Sequence, residues 1–203
     1  MYQVILASES PRRKEIMGLF DIPFEVITAN VEEVVTEKVP SEMVQAIAKL
    51  KTEAVLISDR LQREGQKEII MIGADTMVFC DGMALGKPKN EEDAVRMLLM
   101  LSDNTHEVYT GVSIIIRDKA GMLERISFAV ATKVVVLPLT MEQIKDYIAT
   151  GEPMDKAGAY AIQGKFGVFI KEIIGDYYNV VGFPASRIYE TLLQKGIDLK
   201  KIK

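Results

Sequence analysis

The sequence is poor in the residues that make redox and metal chemistry easy to recognise: its 203 residues include one cysteine, one histidine and no tryptophan. A single Cys80 cannot close an internal disulfide and fits a reducing compartment. With His106 the sole histidine and Cys80 remote from it in sequence, the composition argues against a zinc site and against a Cys/His nucleophile. His106 opens a strand-like pattern and reads as structural. Long apolar runs are missing too. None reaches membrane-spanning length, and no apolar core follows a basic segment near residue 1, so the expectation is a cytoplasmic protein with no membrane partner. A formal net charge of −4 lends no overall support to nucleic-acid binding, so any phosphate site has to be a local pocket of positive charge. What is present is ordinary for a globular protein. With 48% hydrophobic and 27% charged residues the chain can bury a real core, and a single domain over residues 1–203 is expected, without repeats or low-complexity segments.

The first stretch carries the strongest local signal. Val4-Ile5-Leu6 reads as a strand that breaks at Ala7-Ser8-Glu9, and a helical pattern starts after Ser10, a candidate N-cap, with Pro11 at the first helical position. A strand, tight turn and helix of this kind aim backbone N–H groups and the positive end of the helix at one spot, where Arg12, Arg13 and Lys14 add cations. The fitting guest is a phosphate chain. The competing reading is three solvated surface charges.

Further along, Phe24–Thr28 reads as a short strand leading to Asn30-Val31-Glu32-Glu33, whose carboxylates are either metal ligands or solvated loop charge. Pro40-Ser41-Glu42 opens a helix with apolar spacing through Val55, on which Lys49 and Lys51 point different ways. Glu68 to Thr76 is an unbroken apolar run ending in Gly73-Ala74-Asp75-Thr76, expected to be a strand buried on both faces with Asp75 at its end, where open α/β sheets bind ligands. Met77–Cys80, Asp81-Gly82 and Met83–Leu85 form a hairpin signal, followed by Gly86-Lys87-Pro88. Asn90 starts a helix with Ala94, Met97, Leu98 and Leu101 on its apolar face. Two long alternating strands run between His106 and Leu137, turning at Arg117–Gly121. Thr140 caps a helix to Gly151, a small-residue segment ends in Ile162-Gln163-Gly164, a strand is expected near Gly167–Ile170, and Asn179–Pro184 leads into a last helix to about Gln194. Gln163 carries an amide that can both donate and accept, as a uracil-type base edge requires, although from its chemistry alone a plain loop amide is the better account.

In their shared order these stretches resemble the Maf family of nucleoside triphosphate pyrophosphatases. The marks are Leu6-Ala7-Ser8 with Ser10-Pro11-Arg12-Arg13, then Glu33, Lys51, Gly73-Ala74-Asp75-Thr76, Lys87-Pro88, Asp155–Tyr160 with Ile162-Gln163-Gly164, and Asn179-Val180-Val181-Gly182. They span nearly the whole chain. The resemblance implies an α/β fold with a mixed, strongly twisted central sheet flanked by helices, similar to inosine triphosphate pyrophosphatases, with an active-site cleft between two lobes. It implies hydrolysis of a nucleoside triphosphate to the monophosphate and pyrophosphate, dependent on Mg²⁺ or Mn²⁺, and a possible homodimer. Asp75, Glu33, Lys51 and Lys87 are the expected catalytic residues, with Glu33 and Asp75 holding the metal and Asp75 accepting a proton from water. Ser8 and Arg13 are expected on the phosphates, and Arg12, Thr76 and Gln163 on the base. Those last three look like the subgroup acting on dTTP and UTP, whereas the subgroup acting on 7-methyl-GTP has Trp in place of Arg12 and Glu in place of Gln163. Phe183 stands where the family usually has Leu. Two other readings fit the basic turn: a nucleotide-binding regulator of cell division with incidental turnover, and a sugar nucleotidyltransferase, which the lack of a glycine-rich first turn weakens.

Overall fold

Strand-forming and helix-forming stretches alternate along the chain, and the computed structural model, which describes residues 2–58, 61 and 67–202, folds them into a mixed sheet with helices. The polar stretch between Ser58 and Lys67 lies mostly outside the described residues. The strands are β1 (Gln3–Leu6), β2 (Glu25–Val26), β3 (Ile69–Cys80), β4 (Met83–Leu85), β5 (Thr105–Arg117), β6 (Leu123–Val136) and β7 (Ile170–Ile174). The described helices are α1 (Pro11–Gly18), α2 (Pro40–Leu56), α3 (Glu91–Leu101), α4 (Met141–Ile148), α5 (Tyr177–Val181) and α6 (Ala185–Gln194). The sheet order is β2-β1-β3-β5-β6-β7, with β4 paired to β3. β1 runs parallel to β2 and β3, while the β3–β4 and β6–β7 pairs are antiparallel, as the expected mixed α/β class requires. The chain forms two compact units, one of Met1–Asp75, Thr110–Ala129 and Gly182–Lys203, the other of Thr76–Tyr109 and Val130–Val181.

The first unit is built on β1 and the early part of β3. Ile5, Ile69 and Met71 are fully buried and join Val55 and Leu56 of α2 and Ile115 of β5 in one apolar cluster. Two glycines let α2 lie unusually close to the sheet. A Cβ at Gly73 would come within 2.6 Å of Thr52, and one at Gly111 within 2.2 Å of the Val44 backbone. The approach is then fastened by a buried hydroxyl pair, Thr52 Oγ1 to Ser113 Oγ at 2.7 Å, and by Ser127, whose hydroxyl donates to Gln45 at 2.8 Å. The small residues before Asp75 therefore serve the protein's own helix.

The second unit has a separate core around Phe166, whose ring lies 5.0 Å from that of Tyr147 and 5.1 Å from that of Tyr160. Burial of such a ring stabilises by about 2–3 kcal/mol. Ala94, Met97, Leu98 and Leu101 of α3 face this core as their spacing predicted, and the side chain of Asn90 accepts the Asp93 N–H as an N-cap. α4 carries a complete capping box between Thr140 and Gln143. His106 is buried, with Nε2 at 2.8 Å from the Tyr160 hydroxyl, in keeping with a structural role.

Four expectations need correcting. β3 does not stop near Asp75 but continues to Cys80, because the real break is the Asp81-Gly82 turn, where both residues take positive φ (49° and 76°). β2 is only Glu25–Val26, paired to β1 through Ile5 and Leu6. Residues Lys165–Phe169 form a 3₁₀ turn, so the strand expected near Gly167 begins at Ile170. Tyr177–Val181 forms the short helix α5, with the Asp176 side chain accepting the Tyr178 N–H at its start.

Candidate active site

The turn between β1 and α1 has the predicted form, with Pro11 at the first helical position, but the Ser10 side chain makes no cap. Its backbone N–H donates instead to Ser8 Oγ at 3.3 Å. Ser8 Oγ also accepts from Arg13 Nη1 at 3.2 Å, which engages both lone pairs and leaves the hydroxyl proton to donate to an incoming oxygen. Arg13 is fixed from its other side by Nε, which donates 2.9 Å to the Gly182 carbonyl at the end of α5. Burial draws the Arg13 guanidinium downward from its ordinary pKa, and Arg12 adds to that, while Asp75 and Glu33 oppose it. A half-buried guanidinium held by a carbonyl and a hydroxyl is suited to receive an anion, because its planar fork is already oriented. Arg12 is half-buried and Lys14 is exposed.

A second cluster in the same unit draws from three elements. Lys51 of α2 lies between two carboxylates, with Nζ 2.6 Å from Asp75 Oδ1 on β3 and 3.0 Å from Glu33 Oε1 in the loop before α2. Asp75 is buried, its side chain 12% exposed, whereas that of Glu33 is 49% exposed. Lys49 points to solvent, so only one of the two lysines on this helix serves the cluster. A pocket of about 260 Å³ is lined by Ser8, Glu9, Thr28, Asn30, Glu33 and Lys51 among others. Glu9 and Thr28 are the residues that sequence reasoning missed. The Thr28 hydroxyl donates to Glu9 Oε1 at 2.9 Å, tying the ends of β1 and β2 at the rim, and the only sequence signal for it was that both follow strands.

The donor set suits a hard divalent cation. Glu33 and Asp75 both reach one positive atom, and carboxylate oxygens are what such a cation prefers. Among the described residues no group of three or more His, Cys, Asp or Glu side chains could hold a metal. Water and substrate oxygens would have to complete the shell.

The remaining predicted residues belong to the second unit. Thr76 is half-buried in β3, directly after Asp75. Lys87 is exposed in the loop after β4, where the neighbouring Gly86 carbonyl accepts the Gly158 N–H at 3.0 Å. Gln163 is exposed between two 3₁₀ turns. The structure thus brings Ser8 together with Arg13, and Glu33 with Lys51 and Asp75.

A dTTP/UTP pyrophosphatase of Lachnoclostridium phytofermentans is 46% identical over 99% of this chain and 99% of its own length. A second protein of that name, from Agathobacter rectalis, is 47% identical over 98% of this chain and 100% of its own. Among solved structures, a HAM1 protein from Coxiella burnetii covers 96% of this chain and 100% of its own with a TM-score of 0.53 at 11% identity, a likeness of fold alone. The model of the Maf-like protein family matches residues 3–195, and the chain belongs to that family.

Proposed function

We propose that this protein hydrolyses dTTP and UTP to the nucleoside monophosphate and pyrophosphate, by attack of water at the α-phosphorus. The observation that carries the reading is the first unit's pairing of an anion receptor, Ser8 with Arg13, with the Glu33–Lys51–Asp75 cluster. The full-length relatives named dTTP/UTP pyrophosphatase support it. Pyrophosphate leaves, so charge must be neutralised along the whole triphosphate, and catalysis is mostly positioning and electrostatic stabilisation. Ser8 donates to a phosphate oxygen and Arg13 grips the chain, while Lys51 and Lys87 supply point charges. Glu33 and Asp75 would hold Mg²⁺ or Mn²⁺, which when bound would neutralise phosphate charge and ease ionisation of the attacking water. Asp75 takes the proton from that water. Arg12, Thr76 and Gln163 select the base, since a polar group left without a partner by the wrong base penalises binding.

Both units act as one Maf-like domain within the cytoplasm. Among the described residues no helix is long and apolar enough to cross a membrane. A homodimer follows from the family resemblance, and sedimentation analysis would read it.

The test is product analysis with Mg²⁺ or Mn²⁺ and a panel of dTTP, UTP, CTP, GTP, ATP and 7-methyl-GTP. Selective formation of monophosphate and pyrophosphate from dTTP and UTP is expected. Orthophosphate as the product would move the attack to the γ-phosphorus and sink the mechanism, and binding without turnover would favour the regulator.

A further inference from the structure

Lys51 does more in this geometry than add charge to a phosphate site. Its Nζ stands 2.6 Å from Asp75 Oδ1 and 3.0 Å from Glu33 Oε1, so a protein ammonium already bridges the two carboxylates that a divalent cation would take. A divalent cation taking those same oxygens would stand close to the ammonium and be repelled by it, in a half-buried place where water screens poorly, so the two compete. The base of the lysine is firmly set, since α2 is seated against Gly73 and Gly111 and tied by the Thr52–Ser113 hydroxyl pair. Its end is mobile in principle, on a four-carbon stem that opens onto the pocket lined by Ser8, Glu9 and Asn30. An ammonium expelled from the carboxylates needs another anion within reach, and the triphosphate supplies one.

Resting on the proposed pyrophosphatase reading, we infer that Lys51 is an internal cation that competes with the metal for Glu33 and Asp75 and is released onto the phosphates when nucleotide binds. Metal and nucleotide are then coupled through one side chain. Metal alone is held weakly, nucleotide strengthens it by drawing the ammonium away, and by linkage metal strengthens nucleotide by the same factor. The carboxylate pair is loaded with its cation chiefly when there is substrate to act on.

The experiment is a titration of the full chain with Mn²⁺, free ion being read by electron paramagnetic resonance. It is run with and without a dTTP analogue bearing an imido group between the α- and β-phosphorus. Lys51→Met is expected to bind Mn²⁺ alone about tenfold more tightly than the wild type, and the strengthening produced by the analogue is expected to shrink by the same factor. Lys51→Gln, which keeps a polar chain without the charge, should behave alike, with circular dichroism confirming that each variant folds. In the wild type, labelled with ¹⁵N-lysine, the Lys51 ammonium resonance should shift when Mg²⁺ and the analogue are added together. Equal Mn²⁺ affinity in wild type and folded variants, or an ammonium signal that does not move, overturns the coupling. Should the wild type hydrolyse dTTP while either of those results holds, the inference alone fails. Absence of both Mn²⁺ binding and hydrolysis would remove the site itself and the inference with it.

Discussion

The two units each bury ionisable groups, and they handle the cost in opposite ways. In the second unit the groups stay neutral. Burial pulls His106 down to about 4 and pushes the Tyr160 and Tyr147 hydroxyls up, and hydrogen bonds between His106 Nε2 and Tyr160, and from Tyr147 to Glu152, engage these groups in their neutral forms, leaving only Nδ1 of His106 without a partner. In the first unit Lys51, Glu33 and Asp75 make direct ion pairs, and one member is left half wet. Neutral buried polar groups cost little once hydrogen-bonded, so they serve architecture. Converging charges are retained at a cost in desolvation, and a pocket beside them makes them a place for chemistry.

Asp75→Asn is the sharpest way to break the contrast. It keeps shape and removes the charge, so dTTP turnover should fall by about a thousandfold or more while the melting temperature changes little. Retained turnover would take Asp75 out of the mechanism. Phe166→Ala acts on the other side, opening a cavity in the aromatic core and costing about 3–5 kcal/mol in denaturant unfolding, and turnover per folded molecule should change far less than with Asp75→Asn. A smaller effect separates the two by pH. Above pH 6.5 His106 is neutral both folded and unfolded and contributes no pH dependence. As pH falls from 6.5 toward about 4 the unfolded chain takes up the proton first, so stability is lost across that window. The loss totals about 3 kcal/mol and stops growing below the folded value. His106→Gln should flatten that slope in melting curves, and an unchanged slope would remove His106 as its source.

How much of this the sequence disclosed depended on the distance over which each feature acts. The β1–α1 turn, the helix start at Asn90, the Thr140 cap and the apolar face of α3 are set by neighbours within a few residues, and spacing predicts them. The ion pair of Lys51 with Asp75, 24 residues on, has no local signature; the resemblance names both as site residues but not their contact. The bond from Arg13 to Gly182, across 169 residues, was not foreseen, because a backbone carbonyl has no letter in the sequence. The extent of β3 was misjudged for a different reason. A polar Asp75 after an apolar run reads as a strand end, yet the strand runs on into the Met77–Cys80 arm of the expected hairpin, with α2 packed on Gly73. Helix α5 spans only five residues, too few for helical spacing to declare itself.

The seating of α2 on Gly73 and Gly111 bears on which substitutions the chain can absorb. Neither glycine lines the pocket, yet a methyl group at either would lift the helix that carries Lys51. In a library of all single substitutions selected for turnover, these two positions would therefore behave like catalytic ones, accepting only the residue with no side chain. Exposed Lys49, two residues from the key lysine, would accept nearly anything. Intolerance would trace the floor beneath the chemistry as clearly as the groups that perform it.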